Sequence, residues 1–218
     1  MVRKSSLALA LAGGLAGVAG IVTASGLWSF YQRRTTETVP YTVVDRVGEF
    51  ELRRYPPTIL VETTAASDRE AFRRLFRYIS GENESADSVS MTAPVELGAE
   101  SQQIPMTAPV ETASSDGEEV RMAFYLPQEY DLESAPRPTS DDVELVTAPE
   151  RILAVRRFAG RRTDDRVARE SERLLETLER AGLTPAREPF YMGYDAPWTL
   201  PFLRRNEVAT RVEYGVGP

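Results

Sequence analysis

The stretch SVSMTAPVELGAESQQIPMTAPVETA, Ser88–Ala113, writes the hexapeptide MTAPVE twice, at Met91–Glu96 and at Met106–Glu111. Apolar and polar residues alternate through each copy, the period of an extended chain with one buried face. Val89, Met91, Ala93 and Val95 share a face of the first copy; Ile104, Met106, Ala108 and Val110 share a face of the second. Thr107, Pro109 and Glu111 then point the other way. Folded back through Gly98–Gln103, the copies form a hairpin with Met91 opposite Val110 and Val95 opposite Met106, and both apolar faces coincide. Pro94 and Pro109 cannot donate to a ladder, so they predict an edge, a strand end or a bulge, and the spacing favours a sheet margin.

Outward from this hairpin, strand-like runs lie at Tyr41–Val47, Phe50–Tyr55 and Thr58–Thr64, punctuated by Gly48 and Pro56-Pro57. SDREAFRRLFRYISG, Ser67–Gly81, opens with Ser67 and Glu70 in capping-box register and closes on glycine, which predicts a helix. Phe72, Leu75, Phe76 and Ile79 fall at i, i+3, i+4, i+7 and predict its core face. Arg73, Arg74 and Arg77 read equally as a solvated face or as an anion site. The strand VRMAFYLP, a polar loop over 127–142 and strands at Val143–Thr147 and Ile152–Phe158 follow. A second helix, TDDRVARESERLLETLERAG, turns Val167, Leu174, Leu175 and Leu178 inward and ends at Gly182. Each helix follows an apolar strand and precedes a strand pair, the pattern of a duplicated strand-helix-strand-strand unit in an α+β fold.

Composition restricts the chemistry. The chain of 218 residues has no cysteine and no histidine, and its net charge is −7. Lys4 is its single lysine. Cysteine nucleophiles, Ser-His-Asp triads, His or Cys metal sites and disulfides are therefore excluded, as are lysine-based sites in the folded part. No paired-acid spacing points to an enzyme. The acidic balance argues against nucleic acid as a partner and, with so little lysine, suits a salt-rich cytoplasm.

Residues 1–34 carry a different message. LALALAGGLAGVAGIVTASGLW, Leu7–Trp28, lacks charge and exceeds the about 20 residues needed to cross a bilayer. Trp28, Phe30 and Tyr31 form an interfacial belt before Arg33 and Arg34. The expectation is a retained single-pass membrane anchor; the alternative is a signal peptide cut at Ser25, with secretion. A linker at 35–40, one domain at 41–213 and a tail at 214–218 complete the organisation.

Five blocks, AFRRLFRYISGEN (Ala71–Asn83), the MTAPV repeat, FYLP (Phe124–Pro127), RRFAG (Arg156–Gly160) and GYDAPWTLPFLRRNEV (Gly193–Val208), occur in an order that resembles the SOUL/heme-binding protein family. The resemblance implies a pseudo-symmetric, distorted antiparallel β-barrel from duplicated βαββ units with two helices, related to bacterial effector-binding domains. It also implies non-covalent binding of heme or porphyrin in a cleft. One wall would carry Phe72, Arg73, Leu75, Phe76 and Arg77, and the other Tyr194, Trp198, Leu200, Pro201 and Phe202. By their residue types Trp198 and Phe202 read as packed and partly exposed, and Arg204, Arg205, Asn206 and Glu207 as braces of their loop. Iron would find no histidine, and the methionines read as core filler. The alternative function is an effector-binding or interaction module on the same barrel that binds no porphyrin.

Overall fold

The computed structural model describes residues 36–85, 101–114 and 119–214. The first MTAPVE copy, the hairpin it was to form, and the membrane-spanning run fall outside these residues. Among the described residues no helix is long and apolar enough to cross a membrane.

The strands are β1 (Thr42–Val47), β2 (Phe50–Tyr55), β3 (Thr58–Ala65), β4 (Asn83–Glu84), β5 (Thr107–Ser114), β6 (Val120–Tyr125), β7 (Arg137–Pro138), β8 (Glu144–Ala148), β9 (Arg151–Phe158), β10 (Phe190–Gly193) and β11 (Asn206–Arg211). The helices are α1 (Asp68–Ile79) and α2 (Asp164–Arg180). Nine strands form one antiparallel sheet in the order β1-β2-β9-β11-β10-β5-β6-β3-β8, while β4 and β7 pair separately. Around the central β10–β5 pair the order is symmetric: β11 and β9 on one side answer to β6 and β3 on the other. Each half runs strand, helix, strand, strand (β3-α1-β5-β6 and β9-α2-β10-β11), the duplicated unit read in the sequence.

The expected barrel is not closed. Among the described residues the two margins, β1 and β8, bond only to β2 and β3, and no ladder joins them. β1 breaks register between Val43 and Asp45, and such a bulge turns an edge away from regular pairing.

Alternation along the strands builds three cores. Leu60 and Val155 enter one cluster on the face opposite the helices, together with Tyr55, Tyr125 and Met192. Their neighbours Ile59 and Val61 pack under α1 with Leu75 and Phe124, and Ala154 packs under α2 with Leu174 and Leu178. Val167 and Leu175 sit at the margin of this last cluster, and Gly182 ends α2 at φ 70°, as expected.

Two sequence expectations are corrected. Ser67 caps α1 by accepting from the Glu70 N–H at 3.3 Å, but the buried face is Ala71, Leu75, Tyr78 and Ile79, turned by about one position from the stripe predicted. Tyr78 fixes the turn: its hydroxyl donates to the Pro136 carbonyl at 2.8 Å, so the ring goes in with its polar tip satisfied. The second MTAPVE copy, β5, is not a sheet margin, because it pairs with β6 on one side and β10 on the other. Pro109 is accommodated instead where the β5–β6 register shifts between Thr107 and Val110. Thr107 and Glu111 are buried and Met106 is 37 % exposed, because this strand is covered on both faces and strict alternation of burial fails.

Candidate functional site

The rotation of α1 leaves two phenylalanines outside the core. Phe72 is 39 % and Phe76 49 % exposed, with rings stacked at 5.9 Å between centroids and 14° between planes. Phe72 also meets the buried Phe124 edge-on at 5.4 Å, which fixes the pair on the sheet. Of the other residues assigned to this wall, Leu75 is fully buried and belongs to the core. Arg73 and Arg77 are exposed at its flanks, Arg73 paired with Glu70 and Arg77 with Glu82 at 3.4 Å.

The opposite wall is the loop between β10 and β11. Trp198 is 68 % and Phe202 63 % exposed, while Leu200 and Pro201 are half-buried beneath them. The loop is braced as its arginines suggested. Arg204 Nε donates to the Thr199 carbonyl at 2.7 Å and its Nη2 to the Pro197 carbonyl, and the Arg205 N–H donates to Asp195 at 2.6 Å. Gly160 ties in the 3-10 turn Pro201–Leu203, its N–H donating to the Pro201 carbonyl at 2.9 Å and its carbonyl accepting from Asn206 at 3.0 Å. Two residues on, Arg162 pairs with Asp68, the first residue of α1, and stacks over Tyr191 at 5.2 Å. One short segment thus joins the root of α1 to the aromatic loop, although Trp198 and Phe202 make no ring contact with Phe72 or Phe76 among the described residues.

Tyr194 stands apart from this apolar surface. Its hydroxyl donates to Glu207 at 2.7 Å, and Arg205 lies over its ring at 3.8 Å. Burial and the adjacent Glu207 charge raise its phenol well above the ordinary range. Glu207, fully buried, also accepts from Arg53 at 2.8 and 3.2 Å and from Arg205 at 2.9 Å. A second buried carboxylate, Glu111, accepts from Tyr125 and from Arg151 at 2.9 Å. Met192 pairs with both glutamates in the ladders, and it is fully buried between them. Sequence reading missed this polar centre, since Glu111 was assigned to the outward face. The available signal was the arginine-only basic set, whose forked guanidinium suits buried carboxylates. Met122 is buried like Met192, and among the described residues no cluster of three acidic side chains is placed to hold a metal ion.

Two strand-helix-strand-strand units sharing one antiparallel sheet define the class of fold, and solved structures share it. A hydrolase from Listeria innocua matches with a TM-score of 0.50 at 11 % identity, over 78 % of this chain and 94 % of its own. The EcmrR C-terminal domain matches with 0.50 at 13 %, over 80 % and 99 %. Within that class, the family model described as SOUL heme-binding protein matches residues 36–211, and the chain belongs to this family. Heme-binding protein 2 of Mus musculus is 29 % identical over 178 residues, 78 % of this chain and 80 % of the relative. Its Homo sapiens counterpart is 29 % identical over 170 residues, 74 % and 77 %.

Proposed function

We propose that this protein is a membrane-tethered tetrapyrrole-binding protein that holds heme or porphyrin in an apolar cleft without a histidine ligand. Membership of the SOUL heme-binding family supports the ligand class. The observation that carries the site is the stacked, solvent-facing pair Phe72 and Phe76 on a helix whose neighbouring residues are buried. Large aromatics kept in water by a helix that had a core available mark a surface meant to be covered.

A tetrapyrrole fits these residues. Its flat apolar face matches the rings of Phe72 and Phe76 on one side and of Trp198 and Phe202 on the other, above Leu200 and Pro201. Its carboxylates find guanidinium groups at Arg73 and Arg77, whose present partners Glu70 and Glu82 form surface ion pairs worth only about 0–1 kcal/mol, so exchange costs little. The iron does not fit a histidine mode, since the chain has none, and Met122 and Met192 are shut in the core. Leu75 supports the wall from below, and Tyr194 supports the aromatic loop through Glu207. The tether is the uncharged run Leu7–Trp28.

Titration of the full-length chain with hemin and with metal-free protoporphyrin, followed by absorbance and tryptophan fluorescence, tests the reading. Both should bind comparably, because burial of the macrocycle face and arginine-carboxylate pairing do not involve the metal. Failure of both at micromolar concentration would leave the fold as an interaction module. A hemin preference abolished by changing one methionine or tyrosine would establish an axial ligand.

A further inference from the structure

On the face of the sheet opposite the helices lies a recess of about 240 Å³, with Tyr41, Glu49, Glu51, Arg53, Arg157 and Arg205 in its wall. Its wall holds more arginine than glutamate. Arg53 and Arg205 both donate to the single carboxylate Glu207 at its floor. Glu51 accepts from Arg53 at 2.8 Å and from Arg46 at 3.1 Å. Glu49 is taken by Arg156 at 2.5 Å, whose Nε also holds Glu170 at 2.9 Å on the helix side. The wall thus carries three guanidinium groups (Arg53, Arg157, Arg205) and two carboxylates (Glu49, Glu51), with Glu207 beneath them.

The surplus has an address. Each of these carboxylates is already held by an arginine, whereas Arg157 makes no side-chain hydrogen bond or ion pair among the described residues and is exposed. It stands opposite Glu207 in the β9–β11 ladder, so its guanidinium rises from the same face as the buried pair. The Tyr41 ring lies under Arg53 at 4.3 Å, and its hydroxyl meets Arg205 Nη2 at 3.4 Å, which closes one side of the recess with a further donor. A forked oxyanion would meet free N–H donors at Arg157, beside carboxylates that are each already held by another arginine.

We propose that this recess is a binding site for a small oxyanion, a carboxylate or phosphate group, held by Arg157 over the Arg53–Glu207–Arg205 floor. The site is separate from the aromatic surface of α1 and stands independently of tetrapyrrole binding. A cavity of this size takes a short dicarboxylate or a phosphate and excludes a macrocycle.

The test is calorimetric titration of the full-length chain with succinate and with inorganic phosphate, alongside thermal unfolding in each. Saturable binding of at least one of them at or below about 10 mM is expected, with a matching rise in unfolding temperature. Arg157→Glu, a change at an exposed position, should weaken that binding roughly tenfold or more, the scale of losing one charge-assisted contact. Arg161→Glu makes the same change of net charge at an exposed position outside the recess and should leave binding unaltered. Whichever probe binds more tightly identifies the oxyanion type. The proposal is overturned if neither probe gives saturable heat, or if the two variants weaken binding equally, since that outcome reports diffuse charge attraction.

Discussion

Removing the Glu207 carboxylate takes from Arg205 the acid it shares with Arg53 and leaves Arg53, itself buried, with Glu51 alone. Breaking a buried ion pair from one side costs about 3–5 kcal/mol, so Glu207→Ala should lower the urea midpoint far more than Glu70→Ala, which deletes the surface pairs of Arg73 and Arg74. Comparable losses from the two would mean that the Glu207 cluster is open to water. The tyrosines around these carboxylates make a second prediction. Burial and the neighbouring glutamates raise Tyr125 and Tyr194 well above the ordinary phenol value, and burial pushes Tyr191 up to about 12. Each keeps its proton in the folded chain at a pH where the unfolded chain has lost it. The folded state therefore binds more protons, and stability falls with rising pH from about 10 upward. Denaturation midpoints should stay flat through neutral pH and drop across that window, with tyrosinate absorbance lagging behind that of the unfolded chain. The sequence offered Glu207 only as a brace of its loop beside Arg205, and Glu111 as outward-facing, because the arginine that meets a buried glutamate, 154 positions away for Glu207 and Arg53, leaves no local mark.

At the scale of elements, α1 presents two faces with opposite expected behaviour. Leu75→Ala deletes core volume under the helix and should cost about 2–5 kcal/mol. Phe72→Ser with Phe76→Ser removes rings that are about half exposed, so each should cost less stability than Leu75→Ala while porphyrin binding should fall at least tenfold in a fluorescence titration. If the double serine variant unfolds like Leu75→Ala, the rings are core and the proposed wall is lost. Helix bounds and caps were legible because they depend on local signals such as Ser67, Gly81 and Gly182. The rotation of α1 was not, since Phe72, Leu75, Phe76 and Ile79 also satisfy helical spacing, and the choice was made by the distant Pro136 carbonyl that receives Tyr78. The same limit applies to β5. Alternation marked Met106 as buried and Thr107 as exposed, and the sheet, covered on both faces, reverses them. Thr107→Asp should consequently destabilise the domain more than Met106→Asp, as thermal unfolding of the two variants will register.

For the whole molecule, the order β9-β11-β10-β5-β6-β3 makes the duplicated halves meet at β10 and β5, and two stretches that carried the family resemblance, the second MTAPV copy leading into β5 and Gly193–Val208 running from β10 into β11, lie at that seam. Closure into a barrel was not legible, because it depends on whether β1 and β8 meet, and neither strand encodes its partner's distance. How the chain meets a membrane is a separate matter, set by charge and by the Leu7–Trp28 run. With a net charge of −7, the chain as a whole is not drawn to anionic lipid surfaces. Among the described residues no helix is long and apolar enough to span. Membrane retention is therefore expected to depend on the N-terminal run. Full-length protein should stay in the membrane fraction through an alkaline carbonate wash, and a chain beginning at Thr35 should leave it entirely. A mature N-terminus found at Ser25 would show that the run is a cleaved signal, and intact full-length chain released by the wash would show that it is not an anchor. Because residues within 36–214 already form three cores, the shortened chain should match the full-length protein in thermal stability and in porphyrin titration. A loss of porphyrin binding on shortening would instead place part of the cleft in the anchor.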